Sequence, residues 1–103
     1  MLDIFVCDDE DAQRRTIVQT IQNAVLIEEL DMRLALDTGD PYALLEKVKT
    51  SRNTGIYFLD IDLNSDINGM KLAQQIRLFD PRGFIIFITA HSELSYMTFQ
   101  YRV

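Results

Sequence analysis

Apolar residues follow two rhythms along this chain. Nearly solid runs at residues 2–7, 56–59 and 84–88 read as strands covered on both faces, since a strand with one wet face alternates instead. Between them the spacing turns helical: Ile17, Ile21, Ala24 and Val25 share one face of a segment over residues 11–30. Residues 32–37 alternate, with Met32, Leu34 and Leu36 to one side, and predict a further strand. Asp40-Pro41 opens a helix, because Asp caps free N–H groups and Pro suits the first helical position. That helix runs through Leu44, Leu45 and Val48 and frays over residues 50–55. Another covers residues 70–79 with Leu72, Ala73 and Ile76 inward, and stops at Asp80-Pro81. Ser92 caps a last helix over residues 93–102, with Glu93 complementing its dipole. The order βαβαβαβα predicts an α/β fold, a doubly wound parallel sheet with right-handed crossovers, in one domain over residues 1–103.

Composition narrows the function. Sixteen acids against 10 Lys and Arg give a formal charge of -6, the wrong sign for gripping phosphate backbones or anionic lipid. A single cysteine, Cys7, makes no internal disulfide, and with only His91 beside it the chain lacks a zinc set. Cys7 reads as a small buried hydrophobe. No basic leader precedes the first strand, and no apolar run approaches the length of a bilayer span. These features predict a cytoplasmic protein with no membrane partner.

The acids are uneven, 11 Asp to 5 Glu, and they gather where chemistry happens in such folds. Ligands bind beyond the carboxyl ends of the strands, and three strands deliver polar residues there: Asp8-Asp9, Asp60 and Thr89. Converging carboxylates repel one another unless a cation sits among them. A hard divalent ion with oxygen ligands, magnesium above all, answers that need. Taken singly, each Asp reads as a helix cap or a turn residue. Three strands doing the same thing argue against that.

The runs Phe5-Val6-Cys7-Asp8-Asp9-Glu10, Tyr57-Phe58-Leu59-Asp60, Asn68-Gly69 and Ile86-Phe87-Ile88-Thr89-Ala90-His91 together resemble a response-regulator receiver domain, in order and spacing across the whole chain. Residues 59–63, 68–72 and 91–94 narrow the resemblance to receivers of LytTR-type, peptide-pheromone regulators. It implies a flavodoxin-like sheet in strand order 2-1-3-4, and a phosphorelay in a two-component system. Asp60 would be the phosphoacceptor for a sensor histidine kinase. Asp8 and Asp9 would hold magnesium with Asp60 and the backbone carbonyl of Asp62, and Thr89 would be the switch residue contacting the phosphoryl group. The domain would act as a signalling module rather than an enzyme, with DNA reached only through a LytTR output domain further along.

Departures from the pattern shape two further expectations. The loop from Asp60 to Gly69 is about one residue longer than usual, and Asn64 stands where a Pro is common. The receiver's fifth strand, with its Lys, and its fifth helix have no counterpart before Val103, so the chain is expected to be a truncated receiver. Its fourth strand would then be a bare edge prone to self-association. Arg14 and Arg15 could meet an acidic kinase helix, although exposed helix charge is the commoner reason for such residues. Two rivals stand beside this reading: a phosphorylation-independent interaction module, and a haloacid-dehalogenase-like phosphatase using Asp60 and Asp62. A calcium loop over Asp60, Asp62, Asn64 and Asp66 fails, since its sixth and twelfth positions hold Ser65 and Lys71 rather than Gly and Glu.

Overall fold

The most hydrophobic strands take the middle of the sheet because both of their faces must be covered. In the computed structural model, which describes residues 1–89 and 97–101, β1 (Leu2–Cys7) is buried at every residue after Leu2. It lies between β2 (Met32–Thr38) and β3 (Gly55–Asp60), and β4 (Phe84–Thr89) follows β3, all parallel. The order 2-1-3-4 is the one the receiver resemblance implies. Three helices alternate with these strands: α1 (Asp11–Ile27), α2 (Pro41–Thr50) and α3 (Gly69–Phe79).

The period of two along each strand splits the core into two layers. Phe5, Cys7, Tyr57, Leu59, Ile85 and Phe87 face α2 and α3, meeting Leu44, Leu45, Val48, Leu72, Ala73 and Ile76. Ile4, Val6 and Ile88 face α1 and meet Ile17, with Val18, Ile21 and Val25 packed alongside. Ala24, expected on that inner face, is exposed, and Val18 takes its share of the packing.

Strand β2 departs from simple alternation. Ile4 pairs with Leu34 but Phe5 pairs with Leu36, so Ala35 is an extra residue in the ladder. A bulge of this kind reverses which face the following residues present. Met32 and Leu34 therefore pack on the α1 side while Leu36 joins the opposite layer, against the expectation that all three share one face.

The larger correction lies at the other end. Residues 97–101, expected within a helix over 93–102, form β5 (Met97–Tyr101), which pairs antiparallel with β4 from Ile85–Tyr101 to Thr89–Met97. The fourth strand is not a bare edge, because its outer backbone groups bond to β5. The rest of the expected helix, with His91, the Ser92 cap and Glu93, lies outside the described residues. Among the described residues, no helix is long and apolar enough to cross a membrane.

Candidate functional site

Parallel pairing of β1 and β3 brings Cys7 opposite Leu59, so the next residues, Asp8 and Asp60, leave the same edge of the sheet side by side. This is also where the winding reverses: one crossover leads from β1 outward to β2, and the next returns past β1 to β3. Asp8, Asp9 and Asp60 each offer a carboxylate oxygen, and the three atoms lie within 4.8 Å of one another. Among the described residues this is the one group of acids close enough to share a metal ion.

The three carboxylates are held differently. Asp8 is 1% exposed. Its N–H donates to the Thr38 carbonyl at 3.1 Å, and its Oδ1 accepts from the Glu10 N–H at 2.9 Å. Its Oδ2 is buried with no hydrogen-bond partner, a costly condition for an anion in a dry place. Burial pushes the Asp8 carboxyl up to about 6, with the charges of Asp60 and Asp9 adding and the Glu10 N–H opposing. Asp60 is half-buried, and its Oδ1 accepts from the Asp62 N–H at 3.0 Å. Burial, then the charges of Asp9 and Asp62, raise it above the usual carboxylate range despite that bond. Asp9 is exposed, and its Oδ2 accepts from the Asn64 N–H at 2.9 Å.

The loop between β3 and α3 is pinned over the cluster. The Ile61 N–H donates to Ile88 at 3.1 Å and the Gly69 N–H to Ile61 at 3.4 Å. Tyr42, at the start of α2, donates its hydroxyl to Asp66 at 2.8 Å. Asn68 caps α3 by accepting from the Lys71 N–H at 2.9 Å. Gly69 is required here for space, since a Cβ would stand 2.5 Å from the Asp60 carbonyl oxygen and 2.7 Å from the Ile61 Cα.

Of the residues singled out in the sequence, the fold gathers Asp8, Asp9 and Asp60. Asp62 sits in the adjoining loop and contributes its N–H to Asp60. Thr89 is the last residue of β4, and its side chain lies outside the described residues. Cys7 is fully buried in the α2–α3 layer, its thiol pushed up to about 12 by burial and the neighbouring acids. Sequence reasoning missed the Asn64 N–H on Asp9, because a backbone donor carries no residue signature. The sequence singles out Arg14, but as a kinase contact or an exposed helix charge. That side chain is only 18% exposed and binds within the fold, so it is not a free surface charge.

Comparison with known proteins decides the family. The response regulator receiver domain model matches residues 4–103. The chain belongs to the response regulator receiver domain family. It is 55% identical over 100 residues to accessory gene regulator protein A of Staphylococcus epidermidis (strain ATCC 12228 / FDA PCI 1200), covering 97% of this chain and 42% of that protein. It is 52% identical, with the same coverage, to accessory gene regulator protein A of Staphylococcus aureus (strain N315). This receiver therefore spans less than half the length of the curated relatives it matches. Receiver domains generally bind magnesium at an acidic pocket, and Asp8, Asp9 and Asp60 form an acidic cluster here. Three hard oxygen donors, on a group whose Asp8 carboxylate also has a buried oxygen with no partner, suit such an ion.

Proposed function

We propose that this receiver accepts a phosphoryl group on Asp60 from a phosphohistidine of a sensor histidine kinase, with magnesium held by Asp8, Asp9, Asp60 and the Asp62 carbonyl. The observation that carries the reading is the meeting of the Asp8, Asp9 and Asp60 carboxylates within 4.8 Å, with Asp8 also carrying a buried oxygen that has no hydrogen-bond partner. An Asp60 oxygen attacks phosphorus in line. The O–P bond forms as the P–N bond breaks, and the electron pair returns to the imidazole of the donor. When bound, the cation neutralises charge on the transferring oxygens and lets an anionic nucleophile approach an anionic centre. The Asp62 N–H fixes the Asp60 carboxylate, leaving one oxygen to attack. Thr89, ending the neighbouring strand, is assigned the switch contact to the phosphoryl group. The output is transcriptional, through a DNA-binding domain of LytTR type outside these 103 residues.

Incubation with a small acyl phosphate and magnesium tests the reading, with intact mass as readout. One phosphoryl addition is expected, lost in Asp60→Asn and kept in Asp62→Asn. Addition that survives Asp60→Asn, or steady release of phosphate that depends on Asp62, would sink it in favour of the phosphatase-like alternative. Magnesium without any addition from either an acyl phosphate or a phosphorylated kinase would favour a phosphorylation-independent module.

A further inference from the structure

An arginine beside an acidic cluster can do one of two things. It can enter the cluster as an internal counter-ion and occupy the cation's place, or it can stay outside and hold the backbone that carries the acids. The hydrogen bonds of Arg14 separate the two. Its Nη1 donates to the backbone carbonyl of Asp8 at 2.7 Å, its Nη2 to Asp11 at 2.8 Å and its Nε to Asp37 at 3.3 Å. The guanidinium is thus committed to a carbonyl and to two acids outside the cluster, one at the start of α1 and one near the end of β2.

The Asp8 peptide is consequently held from both sides. Its N–H bonds to Thr38 of β2 and its carbonyl bonds to Arg14. The Asp8 and Asp9 carboxylates have their own tethers in the Glu10 and Asn64 N–H groups, but the Asp8 carbonyl is held by the Arg14 guanidinium. The fold leaves room for the clamp: a Cβ on Gly39 would stand 3.2 Å from Arg14 Nη1 and 3.4 Å from the Asp9 Cα.

We infer that Arg14 is a positioning residue for the cation site, clamping the Asp8 carbonyl between α1 and β2 so that Asp8 and Asp9 aim at a common point. The inference rests on the magnesium reading above. Its chemical consequence is ion selectivity. Magnesium demands near-octahedral geometry at short distances, whereas calcium accepts irregular oxygen sets at longer ones. Loosening the turn should therefore penalise magnesium far more than calcium. A lysine cannot replace the clamp fully, because a point charge on a flexible stem cannot serve three acceptors set in a planar fork.

The test is calorimetric titration of the full chain with magnesium and, separately, with calcium, for the parent, Arg14→Met and Arg14→Lys, alongside thermal unfolding of each. The expected result is a fall of about tenfold in magnesium affinity for Arg14→Met, the scale typical of residues that orient metal ligands. Calcium affinity should change little, and Arg14→Lys should fall between the two. Equal losses for both ions, in step with lowered stability, would reduce Arg14 to a general fold stabiliser and overturn the inference. Unchanged magnesium affinity in a folded Arg14→Met would overturn it too while leaving the site reading standing. A parent protein that binds neither ion would remove the site reading itself.

Discussion

Asp8 carries the sharpest conflict in the molecule, a buried carboxylate with one oxygen lacking a partner. A carboxyl raised to about 6 from the usual 3.8 binds its proton more tightly in the folded state than in the unfolded chain. Metal-free stability should therefore rise as pH falls from about 6 towards 4, by roughly 3 kcal/mol at most from this group. Asp60 acts in the same direction. Asp3 acts oppositely at lower pH: burial alone would raise it, but hydrogen bonds from Arg33, Ser51 and Asn53 win and hold it below the usual value. Its contribution is lost only as pH drops below about 4. Denaturant unfolding without divalent ions should thus give a stability maximum on the acid side of neutral, and saturating magnesium should move it upward. Asp8→Asn should stabilise the metal-free chain at neutral pH by roughly 1–3 kcal/mol, while weakening magnesium binding. A monotonic loss of stability from pH 7 to pH 4, with and without magnesium, would contradict this. The acids themselves were legible in the sequence because each follows an apolar run. Their tethers, the Asn64 N–H and the Arg14 guanidinium, were not, since they depend on how distant segments meet.

At the scale of elements, two substitutions separate local strain from close approach. Glu29, in the turn after α1, has φ 52, a left-handed conformation that costs an ordinary residue but not glycine. Glu29→Gly should stabilise the chain by about 1 kcal/mol, read from the shift of the denaturation midpoint. Gly69→Ala should do the reverse. Its Cβ would meet backbone atoms of Asp60 and Ile61 rather than a yielding side chain, so a loss of about 2 kcal/mol is expected. Because the collision is with the carbonyl of Asp60, the proposed phosphoacceptor, phosphoryl uptake should fall as well, and an uptake equal to the parent's would show that β3 had not moved. The periodic helices and solid strands were readable because burial alone dictates them. The bulge at Ala35 was not, because register depends on the partner strand. Residues 97–101 had a readable signal of their own: Met97, Phe99 and Tyr101 alternate with Thr98 and Gln100, a strand rhythm rich in aromatics. Within residues 97–101 the need of β4 for a partner along its outer side prevailed over the expected helix.

The two outermost parallel strands, β2 and β4, are protected by different means. At one side, β2 carries Arg33 and Asp37, paired to Asp3 and Arg14, and charge on an edge strand discourages pairing with another chain. At the other, β4 carries no charge anywhere in Phe84–Thr89, and β5 occupies its outer backbone groups instead. The face of β3 and β4 on the α1 side adds to the hazard, with Phe84 exposed and Ile56, Phe58 and Ile86 only half-buried. Self-association should therefore depend on β5. Sedimentation of the 103-residue chain is expected to show a monomer at concentrations where a variant ending at residue 96 associates through β4. Adding Phe84→Lys to the shortened variant should restore the monomer, because a charge in the newly bared strand opposes edge-to-edge pairing. Equal association with and without residues 97–103 would place the contact elsewhere on the sheet. A shortened chain that stays monomeric would mean that the antiparallel strand contributes nothing to edge protection.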